Sequence, residues 1–221
     1  MDKFLDRQHA GILLAKNLYH FRNANNTILL ALPRGGVPVT YEIAKELCLP
    51  LDVLIVRKLG VPGHEELAMG AITSDGTVIF NQHIVDKLHI ADEAIQLTVQ
   101  KEQEELQRRE LLYRDEATRL NLEGKTVILV DDGIATGATT KAAITAIKKQ
   151  SPAQLILAVP VASSHTYQEL AAEVDEFICP LQPIDFHAVG LWYEDFSQTT
   201  DQEVAQFLLD AKRYGFPPTK E

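Results

Sequence analysis

The chain has 221 residues, 46% of them hydrophobic and 24% charged, which suits a soluble globular protein with a sizeable core. Acidic residues outnumber basic ones 31 to 21, giving a net charge of -10. That balance argues against nucleic acid or an anionic membrane as a partner, but not against a phosphorylated ligand met by a cation and by backbone N–H groups.

The N-terminus, MDKFLDRQHAG, lacks the apolar centre of a signal peptide, and no apolar run nears the ~18 residues of a spanning helix. A cytoplasmic location follows as the expectation. Cys48 and Cys179 form no CxxC pair and read as buried thiols rather than a disulfide. In chain order, Asp6 is placed to cap a helix carrying Ala10, Leu13, Leu14, Ala15 and Leu18, which Asn25-Asn26 ends. Asn25-Asn26-Thr27 fits a glycosylation sequon, read here as chance.

Thr27 to Leu32 reads as a strand covered on both faces. Pro33-Arg34-Gly35-Gly36 turns the chain into a helix through Ile43, Ala44 and Leu47. A strand over Asp52 to Lys58 follows, then a loop with Gly60, Pro62 and Gly63. Short strands around Met69 to Ile72 and Thr77 to Phe80 flank a turn at Ser74-Asp75-Gly76.

From about His83 to Thr118 there is no Gly or Pro. Val85, Leu88, Ile95, Val99, Leu106 and Tyr113 recur at helical spacing, predicting one long helix with a break allowed near Asp92. Its run of charges from Lys101 to Glu110 reads as a solvated face. A strand at Thr126 to Val130, a helix at Thr139 to Lys149 and a strand at Leu155 to Val161 continue a βαβ pattern. Helices near Ser164 to Ala172 and Gln202 to Ala211 flank an irregular piece from Cys179 to Trp192. Without repeats or linkers, residues 1–221 read as one α/β domain, a parallel sheet with helices on both faces.

In such a sheet the ligand lies beyond the carboxyl ends of the strands. Val127 to Val130 deliver Asp131 and Asp132 to that edge, where adjacent carboxylates need a cation, hydroxyl or N–H partner. Gly133 to Thr139 is a small, hydroxyl-rich loop leading into free helix N–H groups, which suits a phosphate; Thr136, Thr139 and Thr140 can add donors. A Walker loop fails because Ala138, not lysine, follows Gly137, and GxGxxG, HExxH and GxSxG are absent.

Val127 to Thr139 resembles the PRPP (5-phosphoribosyl 1-pyrophosphate) motif of type I phosphoribosyltransferases: four apolar residues, two acids, then a small loop with Thr-Gly. The PRGG turn, the VRKLG strand end and the GAI…DG hairpin extend that similarity over nearly the whole chain. The resemblance implies a sheet core with a small hood, a segment near 177–215 being a candidate, and a Mg²⁺-dependent transfer from PRPP to a small-molecule acceptor, with homodimers common.

Carried over by position, Asp131 and Asp132 would hold the ribose hydroxyls, directly or through Mg²⁺ and water, and Ala135, Thr136, Gly137, Ala138 and Thr139 the 5′-phosphate. Arg34, Gly35 and Gly36 resemble the pyrophosphate loop, often a strained or cis turn, with Arg57 and Lys58 as further contacts. Gly60 to Ala68 stands where the family has its mobile loop, with His64 a candidate acid–base or phosphate contact. Alanine at 135 and 138, where 6-oxopurine enzymes carry aspartate and often lysine, weakens a hypoxanthine-guanine assignment.

Trp192, Tyr193 and Phe196 are candidates to stack a base, or plain hood packing. Two readings stand beside transfer: a PRPP or nucleotide sensor, and an assembly partner docking through the long helix. An exposed stripe at Val85, Leu88, Ile95 and Val99 would favour the latter.

Overall fold

A computed structural model describes residues 3–74, 76–113 and 121–214. Helix α1 (Arg7–Asn17) starts where Asp6 accepts a hydrogen bond from the His9 amide at 2.7 Å. It packs closely on α2 (Gly36–Leu47): a Cβ on Gly11 would lie 2.5 Å from the Val39 carbonyl oxygen. Strands β1 (Thr27–Ala31), β2 (Leu51–Val53), β6 (Thr126–Val130), β7 (Gln154–Ala158) and β8 (Glu176–Ile178) form one parallel sheet in the order β2-β1-β6-β7-β8.

The apolar runs are buried on both faces, as parallel strands require. Leu29, Ile128, Val130 and Ile156 face α1 and α2. Leu30, Val127, Leu129 and Leu157 face α5 (Ala138–Lys149) and α6 (Ser164–Ala171). Because α2 carries the chain from β1 outward to β2, and α5 carries it from β6 outward to β7, the order reverses between β1 and β6. In open α/β sheets ligands settle in the crevice at such a reversal.

The predicted strand over Asp52 to Lys58 is two strands. After β2 the buried pair Leu54-Ile55 crosses to a second, antiparallel sheet: β3 (Val56–Val61), β4 (His64–Thr73) and β5 (Val78–Phe80). Nothing local marks the crossing, since the apolar run is unbroken. The expected loop from Gly60 to Ala68 is the end of a hairpin. Pro62-Gly63 forms its turn, with Gly63 at φ 79°, a left-handed position that favours glycine. Of the turn after β4, Asp75 lies outside the described residues.

The long helix is also two, α3 (Gln82–Lys87) and α4 (Asp92–Tyr113), separated at Leu88–Ala91; residues 114–118 lie outside the described residues. Val85, Ile95 and Val99 are half-buried against the second sheet, where with Val78 and Phe80 they line an open groove, and Leu88 is exposed. Of the segment 177–215, the described residues, to 214, serve three places. Their start lies in β8, residues 189–197 pack beside Asp132, and α7 (Asp201–Ala211), started by a Thr200–Glu203 capping box, packs on α2 and α4. Cys48 is exposed, against expectation, because it ends α2 in a left-handed turn. Cys179 is buried, which pushes its thiol up to about 12. Among the described residues no helix is long and apolar enough to cross a membrane.

Candidate active site

Parallel pairing of β1 with β6 brings Ala31 level with Val130, so the turn after one strand lies on the acids after the other. The Leu32 amide continues the ladder to the Val130 carbonyl at 2.9 Å, and the Pro33–Arg34 peptide that follows is cis. Gly35 then passes over Asp132 so closely that a Cβ there would lie 2.0 Å from Oδ2. At Gly36 a Cβ would meet the Val130 carbonyl at 2.8 Å. Gly36 thus permits the close approach of two backbones, and Gly35 leaves room for the Asp132 carboxylate.

The acids are mostly shielded from solvent. The Asp132 amide donates to Asp131 Oδ1 at 2.8 Å. Burial, and then the neighbouring charge of Asp132, holds the Asp131 carboxyl well above the ordinary carboxylate range. Burial raises Asp132 as well, opposed by Arg7. Arg7, the first residue of α1, donates Nε–H to Asp132 Oδ2 at 2.8 Å and a second N–H to the Ser197 carbonyl at 2.6 Å. Its guanidinium lies 3.9 Å over the Phe196 ring, and the Arg7 and Asp132 side chains are 11% and 13% exposed. The Tyr193 hydroxyl donates to the Asp132 carbonyl, and burial raises that phenol. Sequence reasoning missed Arg7. The unsatisfied pair of acids was the signal that some cation had to be there, but a contact spanning 125 positions leaves no local spacing.

Downstream, Ala135, Thr136, Ala138 and Thr139 are exposed around the start of α5, and Gly137 is its N-cap at φ 72°. Thr140 is buried rather than available as a donor. Arg34 is 37% exposed at its side chain and 4.0 Å from Asp201, the first residue of α7. Arg57 and Lys58 occupy opposite faces of β3. Lys58 lines a cavity of about 260 Å³ with Ala138, Thr139 and Phe80, whereas Arg57, expected beside it, is held by Glu102 of α4 at 2.6 Å. Alternation along the strand separates them. His64 is exposed at the hairpin end.

The aromatics have partners within the fold: Tyr193 is buried, Phe196 carries Arg7, and Trp192 lies beside Phe186 with ring centroids 6.5 Å apart. Among the described residues no group of three or more His, Cys, Asp or Glu side chains could by itself hold a metal.

The sequence model of the phosphoribosyl transferase domain matches residues 2–193. Over 213 residues the chain is 44% identical to proteins of two Mycobacterium tuberculosis strains provisionally named phosphoribosyl transferases, covering 96% of this chain and 48% of theirs. The chain thus spans about half the length of these curated relatives. The crystal structure of TT1426 from Thermus thermophilus matches with a TM-score of 0.81 and 36% identity, over 97% of this chain and 100% of that one. With a domain match over most of its length and a full-length relative of the same fold, the chain belongs to the type I phosphoribosyltransferase family.

Proposed function

We propose that the chain transfers the phosphoribosyl group of PRPP to a nitrogen acceptor, a nucleobase being the leading class, with Mg²⁺ as cofactor and pyrophosphate as the leaving group. One observation carries this reading. The Asp131–Asp132 pair, the side-chain-free backbone of Gly35-Gly36 and the exposed first turn of α5 lie at one sheet edge, with the acids between the turn after β1 and the loop into α5. A new bond forms from the acceptor nitrogen to C1 of the ribose as the bond from C1 to the pyrophosphate oxygen breaks; the nitrogen gives up its proton.

Positive charge grows on the sugar, which Asp131 and Asp132 suit. Negative charge grows on the leaving group, which Arg34, the Gly35 amide and Lys58 suit. Ala135 to Thr139 anchor the 5′-phosphate on free helix N–H groups. The residues fit Mg²⁺: carboxylate oxygens are hard donors, and Arg7 offsets only one of the two charges. Asp131 and Asp132 would hold the ion, directly or through ribose hydroxyls and water. When bound it neutralises phosphate charge and fixes the donor's orientation. A cytoplasmic, nucleotide-metabolic role accords with this chemistry.

The test is incubation with PRPP, Mg²⁺ and a panel of bases and amines, following pyrophosphate release. Release with one acceptor class is the expected result. One observation favours a second reading, a PRPP sensor: Arg7 already occupies Asp132. Saturable PRPP binding with no release for any acceptor would establish it.

A further inference from the structure

We infer that Thr166 is a positioning residue that sets the phosphate loop from beneath, through a directed relay of hydrogen bonds. This rests on the reading of Ala135 to Thr139 as the 5′-phosphate site. Ser163 caps α6, its Oγ accepting from the Thr166 amide at 3.1 Å. The Ser163 hydroxyl donates to Thr166 Oγ1 at 2.8 Å, and Thr166 Oγ1 donates in turn to the Ala135 carbonyl at 2.6 Å. With Ser163 filling its acceptor side, the Thr166 proton is committed to Ala135, and such chains strengthen each member.

The consequence lies in the peptide that follows. A planar trans peptide points its N–H opposite its C=O. Holding the Ala135 carbonyl against Thr166 therefore turns the Thr136 N–H away from α6, on the exposed side of the loop. One residue earlier, the Ile134 carbonyl faces the Ser163 amide at 3.4 Å, which holds the same stretch against the start of α6. Thr166 is 4% exposed, and its methyl also limits Gly137, where a Cβ would lie 3.0 Å from Thr166 Cγ2. One side chain thus holds the peptide plane at Ala135 and leaves little room for a side chain at Gly137. Consecutive N–H groups aimed to one side make an anion-binding concavity.

The experiment compares Thr166→Val, which keeps the shape and removes the hydroxyl, with Thr166→Ser, which keeps the hydroxyl. Ribose 5-phosphate and, separately, pyrophosphate with Mg²⁺ are titrated calorimetrically into each, with thermal melts confirming the fold. Ribose 5-phosphate should bind about tenfold more weakly to Thr166→Val and within about twofold of wild type to Thr166→Ser. Pyrophosphate affinity should be unchanged in both. Should Thr166→Val bind ribose 5-phosphate as wild type does, or lose both ligands equally, the positioning role is overturned. Wild-type protein that fails to bind ribose 5-phosphate while taking pyrophosphate would instead overturn the phosphate-site reading, and the relay with it.

Discussion

The two halves of the site are built differently. The proposed phosphate half, Ala135 to Thr139, is local: a strand end, a glycine at the helix start and small exposed residues, all within one stretch of chain. The acid half is assembled from afar, since Asp131 and Asp132 are enclosed by Gly35 and Gly36 from the turn after β1, Arg7 from α1, and Tyr193 from the tail. A phosphate loop works at the surface with backbone N–H groups that any small residue supplies. Two adjacent carboxylates away from water need side-chain and backbone partners that only tertiary structure can bring. Variants should therefore separate the halves, with changes around the acids altering stability and chemistry together.

The largest effect is expected at the acids themselves. Asp131→Asn with Asp132→Asn should cut pyrophosphate release by more than about 10²-fold while the fold survives, as circular dichroism would verify. Turnover near wild type would detach the acids from the chemistry.

Arg7→Met comes next. It leaves Asp132 shielded from solvent without its cation, at a cost of about 3 kcal/mol. At about 2 to 4 °C per kcal/mol for a chain of this size, the melting temperature should fall by about 6 to 12 °C at neutral pH. The loss should shrink on acidification, because a protonated Asp132 needs no cation. An equal loss at all pH values would place Arg7's contribution in packing alone.

Asp131→Asn by itself should have the opposite sign. Burial raises the folded carboxyl above its ordinary value of 3.8, so the folded state binds this proton more tightly than the unfolded chain. Its contribution to stability is full below 3.8 and is lost as pH rises through the folded value. At neutral pH the asparagine variant should melt higher than wild type, by a few degrees on the order of one kcal/mol, and the gap should close in acid. A stabilised protein that has lost PRPP binding would show that the acid half holds strain for function.

The smallest effect belongs to Arg57→Gln. Its pair with Glu102 is partly exposed, so the stability loss should be about 1 kcal/mol or less. PRPP affinity should stay within about twofold. A tenfold loss would mean that Arg57 leaves Glu102 and turns to the leaving group.

The same contrast explains what was legible in the sequence. The parallel sheet was, because strands covered on both faces are apolar runs and their crossovers carry caps and glycines. The paired acids were legible as the end of a strand and the loop after them as the start of a helix, which is where β6 and α5 place them. The crossing at Leu54-Ile55 was hidden, because the residues that leave one core enter another and remain apolar throughout. The hairpin at Pro62-Gly63 looked like a loop, since its turn residues are visible but the pairing of β3 with β4 is not. Arg57 and Lys58, adjacent in sequence, were expected to act together; the twofold alternation of β3 separates them. Arg7 and Thr166 carry no local signature, because each acts on a loop far along the chain.

The paired acids as the seat of PRPP binding are tested most directly by calorimetric titration of PRPP, with and without Mg²⁺, into wild-type protein and into the Asp131→Asn, Asp132→Asn double variant. Wild type should bind PRPP saturably and one to one, more strongly with Mg²⁺, and the variant should lose that binding. No binding to wild type, or equal binding by the double variant, would contradict that role.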